Sequence, residues 1–153
     1  MAVIIDIIID FLRGYTLRDK HCGTVSKNDI GSTLTLSGWI FRRRDHGGLI
    51  FVDLRDVTGI FQVVFSPDIS PEAHGRAGDL KQEYVIKVTG KVQKRPEGTE
   101  NKGIPTGGVE MYVISFEVLN TCKALPFQLD EEDVNESLRL KYRYLDMRRP
   151  AVQ

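Results

Sequence analysis

Phe51 and Gln62 are an aromatic ring and a primary amide, and together they could recognise a flat heterocycle. The ring can stack on a π-face. The amide carries both a donor and an acceptor, so it can pair with the heterocycle's edge. Arg42, Arg43 and Arg44 lie just upstream of Phe51 in "GWIFRRRDHGGLIFVDLRD", and guanidinium groups are suited to holding phosphates. Lys94, Arg95, Asn101 and Lys102 flank or occupy a downstream loop, and Glu110 follows it, a carboxylate able to accept from an amino or imino group. This chemistry is recognition of an unpaired base, without bond-making. A solvated charged turn and a half-covered phenylalanine are the plainer alternative for the same residues.

Catalytic and metal chemistry find little support in the sequence. His21, His46 and His74 are scattered, and Cys22 and Cys122 lie a hundred positions apart with no C-x-x-C pair. No metal site is therefore expected, and the thiols read as reduced. Acids and bases balance at 21 each, which argues against a non-specific coat for long nucleic acid but leaves room for a local basic patch.

The elements that must position these residues follow from hydrophobic periodicity. From Thr33, Leu34, Leu36 and Ile40 alternate with Thr35, Ser37 and Trp39, which predicts a strand. Residues 49–55 and 59–65 predict two more, joined by the short polar turn "DVTG". Pairing them around that turn sets 55 against 60, 53 against 62 and 51 against 64. Ile50, Val52 and Leu54 then share the core face with Phe61, Val63 and Phe65. Phe51 and Gln62 fall on the other face, diagonal to one another. Arg42 and Arg44 share a side only if the first strand runs unbroken toward Gly47 and Gly48.

Ser70, Pro71 and Glu72 mark a helix start, and a short helix over 71–82 is expected, weakened by Gly75 and Gly78. Strands are expected over 84–95, bent at Gly90, and over 109–120. The loop 96–108 between them is long and rich in turn formers, so it is functional or disordered. The order β-β-β-α-β-β predicts an all-β protein with one short helix: a five-stranded OB-fold barrel, of the kind that binds oligonucleotides on its strand 2–3 face. After Pro126 the chain turns acidic and then basic, and Leu138, Tyr142 and Leu145 predict a helix over 137–147. The apolar start, residues 1–14, is too short and acidic to span a bilayer and lacks the marks of a signal peptide. It suits a tag, an extension or a docking element.

"GWIFRRRDHGGLIFVDLRD", "GIFQVVF", "YVIKVTGKV", "KRPEGTENKGIPTGGVE" and "ALPFQ" together resemble the N-terminal anticodon-binding domain of bacterial-type aspartyl-tRNA synthetases. "ESLRLKYRYLDMRRP" resembles the hinge leading into their catalytic domain. The resemblance implies an extension over 1–14, an anticodon-binding domain over 15–125 and a hinge over 126–153. It implies that Phe51 stacks on the central anticodon base and Gln62 hydrogen-bonds it. By the same resemblance Arg42 and Arg44 contact the anticodon loop, and Arg95, Asn101 and Glu110 belong to the region reading the first anticodon base. The expected partner is tRNA, in the cytoplasm, with no membrane. ATP, Mg2+ and homodimer formation are expected of a full-length ligase through a catalytic domain whose motifs this chain lacks. The piece alone is expected to bind RNA without catalysing, and needs no cofactor. A ligase serving both aspartate and asparagine tRNAs is a variant of this reading. A free-standing OB module for single strands or a protein partner is the alternative.

Overall fold

The computed structural model describes residues 16–152. They divide into two compact units, one running to Thr121 and the other starting at Cys122. The expectations for residues 1–14 lie outside the described residues.

The first unit is a closed barrel with strand order β1-β2-β3-β5-β4. Its strands are β1 (Thr33–His46), β2 (Leu49–Asp56), β3 (Gly59–Phe65), β4 (Val85–Lys94) and β5 (Val109–Asn120). The hairpin register is the one parity predicts: Arg55 faces Ile60, Asp53 faces Gln62 and Phe51 faces Val64. Ile50, Val52, Leu54, Phe61, Val63 and Phe65 all enter the core, with Leu36 and Ile40 from β1, Ile86 and Val88 from β4, and Met111 and Val113 from β5. Each such side chain contributes about 1.5–3 kcal/mol by leaving water. β1 and β2 are joined by Gly47 and Gly48, with φ of 59° and 79°. Two consecutive positive-φ residues make the tight hairpin turn whose twist matches the strands, and glycine adopts it without a side-chain clash.

Several expectations need correction at element ends. The helix after β3, α1, covers only Pro71–Ala77. Ser70 caps it by accepting from the Ala73 amide at 3.2 Å, as its start signal predicts. Gly75 and Gly78 give it too little propensity to reach Gln82. One of two register shifts between β4 and β5 falls between Thr89 and Gly90, so the irregularity lies at the expected glycine, with the extra residue, Ile114, on β5 opposite it. Two 3-10 turns, Cys22–Thr24 and Lys27–Asp29, precede β1 and had no clear sequence signal. The second carries a capping box between Ser26 and Asp29.

The second unit packs Phe127, Leu129 and Leu145 into a small core of its own. The expected single helix is two: α2 (Glu136–Lys141) and α3 (Arg143–Asp146), broken at Tyr142, which has φ −114° and ψ 48°. An unbroken helix would separate residues seven apart by about 10 Å along its axis. The break lets Arg139 reach Asp146, seven residues on, at 2.8 Å. Arg143 and Arg149 also pair with this fully buried carboxylate, each at 3.2 Å. Arg139 first, and its neighbours after it, hold the Asp146 carboxyl below its ordinary range.

Neither cysteine is bonded to another. Burial first, and then the charge of Asp56, pushes the Cys22 thiol far up. Among the described residues no helix is long and apolar enough to cross a membrane, and no group of three acidic, cysteine or histidine side chains could hold a metal.

Candidate nucleic-acid interface

β1 carries the arginines onto the outer face of the barrel. The pairing of β1 with β2 slips between Ile40 and Arg42, leaving Phe41 as a bulge. A bulge inserts one residue and reverses the facing of everything beyond it. The bend expected at Gly47 and Gly48 is the hairpin turn itself, and a further irregularity, without a signal in the sequence, lies before the arginines. Beyond it the register is regular: Arg42 opposes Asp53, Arg43 opposes Val52 and Arg44 opposes Phe51. Arg42 and Arg44 therefore share the side of Phe51 and Asp53. Arg43 is turned the other way and pairs with Asp45 at 2.9 Å.

The outer face of the hairpin is half-covered, not open. Leu49, Phe51, Asp53 and Arg55 are partly accessible, but Gln62 and Val64 are buried. β5 causes this, pairing in parallel with β3 through Val63–Met111 and Val64–Tyr112. Glu110 and Tyr112 lie on the same side of β5, since residues two apart share a face. Hairpin parity found Gln62's direction but not this neighbour, 48 positions away.

A chain of polar contacts crosses the floor. Gln62 Nε2 donates to Glu110 Oε2 at 2.7 Å. Arg44 Nη2 donates to Gln62 Oε1 at 3.1 Å and to Asp53 Oδ1 at 3.4 Å. The Arg44 guanidinium also lies 6.0 Å from the centre of the Phe51 ring. Arg95 is buried, and its Nε donates to the Val109 carbonyl at 3.2 Å. Its guanidinium titrates below its ordinary range, chiefly through burial and despite the charges of Glu110 and Asp53. The Tyr112 hydroxyl is held above its ordinary range, first by burial, then by the charge and hydrogen bonding of Glu110.

The loop 96–108 folds over one end of this floor as an ordered structure. The Asn101 amide donates to the Gly107 carbonyl at 3.0 Å, and the Arg95 amide to the Gly108 carbonyl at 3.1 Å. The Thr106 hydroxyl ties the loop to β3 through the Ile60 carbonyl at 2.6 Å. The side chains of Thr99 and Asn101 are occupied within the loop, on the Pro96 carbonyl and the Gly103 amide.

Arg42, Arg44, Phe51, Gln62, Arg95, Asn101 and Glu110 all line a single groove of about 730 Å3. Phe41, His46, Asp53, Thr99, Ile104 and Tyr112 are among the further residues of its wall, and none belongs to the set of seven expected from the sequence. Tyr112 was legible in principle, two residues beyond Glu110 on one strand. Arg43, Lys94 and Lys102 are absent from the lining. Aromatic floor, amide and carboxylate in the middle, guanidinium rim: the groove offers a flat group a stacking surface and fixed polar partners.

The family of OB-fold nucleic acid binding domains, of the tRNA anticodon type, matches residues 34–119. The chain belongs to this family. Among curated relatives of this OB-fold chain, an "Aspartate--tRNA(Asp/Asn) ligase" of Thermodesulfovibrio yellowstonii is 60% identical over 137 residues, covering 89% of the chain and 23% of the relative. A protein of the same name from Geotalea uraniireducens is 55% identical over 147 residues, covering 95% and 25%. The chain thus spans about a quarter of the length of the relatives it matches. Among solved structures, asparaginyl-tRNA synthetase from Pyrococcus horikoshii, complexed with asparaginyl-adenylate, superposes with a TM-score of 0.72 at 30% identity, over 86% of this chain and 29% of that one.

Proposed function

We propose that this OB-fold chain is the anticodon-reading module of a ligase that attaches aspartate to tRNA. The observation that carries the reading is the groove itself, where Phe51 lies beside the Arg44–Gln62–Glu110 chain. An anticodon loop splays its bases outward, and such bases are taken by stacking together with edge hydrogen bonds. Phe51 takes the face of the central base, Gln62 and Arg44 meet its edge, and Arg42 holds the backbone. Arg95 and Asn101 lie toward the loop end, where the first anticodon base would sit, and Glu110 stands between them and Gln62. The aligned relatives are ligases by name, and they support the parent activity. ATP, Mg2+ and dimer formation are assigned to the remainder of the parent protein.

The test is a titration of the chain with anticodon stem-loops that carry each of the four bases at the central position. Uridine is expected to bind at least about tenfold more tightly than the others, or ~1.4 kcal/mol. Equal affinity for all four overturns the reading. A second reading is favoured by the relatives' names, which join Asp and Asn: the parent serves both tRNAs. Stem-loops differing only in the third anticodon base then bind alike.

A further inference from the structure

The two ends of a glutamine amide are nearly equal in shape, so only their partners decide which way the group faces. For Gln62 one of these partners, Glu110, is buried with it. Glu110 is 2% exposed and Gln62 6% exposed. An ionised carboxylate accepts and never donates, so the Gln62 nitrogen must face Glu110, as it does at 2.7 Å. Reversing the amide would press its oxygen against a carboxylate oxygen in a site with little water. The Gln62 oxygen therefore faces the groove, beside the Arg44 guanidinium that donates to it.

We propose that Glu110 is a positioning residue: it locks the Gln62 amide oxygen toward the groove, so that Gln62 and Arg44 together offer one acceptor beside one donor. That pair complements a base edge carrying an imino N–H next to a carbonyl. Uracil presents this edge. Cytosine presents a bare ring nitrogen there and meets the Gln62 oxygen with a second acceptor. On this geometry Glu110 governs the central anticodon position through Gln62, whereas the resemblance would place it at the first. The inference rests on the proposed reading of the groove as an anticodon site.

The experiment uses the full 153-residue chain, its Glu110→Gln variant and the exchanged pair Gln62→Glu with Glu110→Gln. A glutamine at 110 can donate or accept, which frees the amide at 62 to turn over. In Glu110→Gln the preference for central uridine over cytidine is expected to fall about tenfold, the worth of one well-placed hydrogen bond. The preference for guanosine at the first position is expected to stay. In the exchanged pair the carboxylate at 62 again shows an acceptor to the groove, and the uridine preference is expected to return. A Glu110→Gln variant that keeps its central-base preference overturns the inference, as does one that loses only first-base preference.

If thermal melting shows that neither variant folds, the unaltered chain still decides. A central 3-methyluridine, whose imino proton is replaced, should bind about tenfold more weakly than uridine, and 5-methyluridine should not. Equal binding of 3-methyluridine and uridine means that no acceptor faces the base and overturns the inference. A wild-type chain indifferent to all four central bases overturns the anticodon reading instead. The two failures are therefore distinguishable.

Discussion

Phe51 and Phe61 belong to neighbouring strands of one hairpin and do opposite work. Phe61 is fully buried in the barrel, whereas Phe51 lies on the outer face and lines the groove. Phe61→Ala should destabilise the chain by about 3–5 kcal/mol in denaturant unfolding, through lost transfer energy and the cavity left behind. Phe51→Ala should leave unfolding nearly unchanged and weaken stem-loop binding by about 1–3 kcal/mol, the worth of one stacked base. A Phe51→Ala protein that binds RNA like the wild type would remove the ring from the site. The division between these residues was legible in the sequence, because alternation along a strand is strict and the short turn fixes the register. The burial of Gln62 was not. Its cover is Glu110 and Tyr112, and nothing near residue 62 in the chain announces a parallel neighbour from the far side of a loop.

Among the elements, the loop 96–108 was the segment whose order the sequence left open. Its composition permits disorder, but hydrogen bonds to its own backbone and to β3 hold it. Gly107 is the tight point: a Cβ there would stand 1.6 Å from the Asn101 carbonyl oxygen. Gly107→Ala should force the Asn101–Gly107 contact apart and loosen the loop end of the groove. Stem-loop affinity should drop by about 1 kcal/mol or more, with the β signal in circular dichroism retained. Unaltered affinity would show that the loop's shape does not matter to binding. The other misreadings at this scale share a cause. A helix end and a mid-helix break depend on small differences in local propensity, and tertiary contacts such as those of Asp146 settle them. The bulge at Phe41 is one extra residue, which hydrophobic alternation cannot mark when arginines follow it.

At the scale of the molecule, zero net charge hides local arrangements, among them buried acids that hold the fold. Asp56 ends β2 and accepts from the Cys22 amide at 2.7 Å and from the Thr58 amide and hydroxyl at 2.8 and 2.6 Å. Burial pushes its carboxyl upward, but these hydrogen bonds, with His21, outweigh that and hold it below the ordinary value. A carboxyl lowered in the folded state adds stability above its unfolded pKa of about 3.9 and loses it as pH falls through the folded value. The midpoint of thermal unfolding should therefore fall as the medium is acidified below about pH 4. Asp56→Asn should be less stable at neutral pH and show a shallower acid decline. An identical pH profile in both proteins would rule out Asp56 as a contributor.

The barrel closes where β3 meets β5, through two registered pairs, while every other strand neighbour is joined by seven or more. That seam links segments almost fifty residues apart, so its closure waits on long-range loop formation and comes late when the chain folds. The Gln62–Glu110 hydrogen bond spans the same seam. Whatever lets the barrel breathe there also undoes the polar floor of the groove. The lifetime of the recognition geometry is thus bounded by the lifetime of the closed barrel, and RNA held across the seam would act as a clasp, slowing the opening of the fold that binds it.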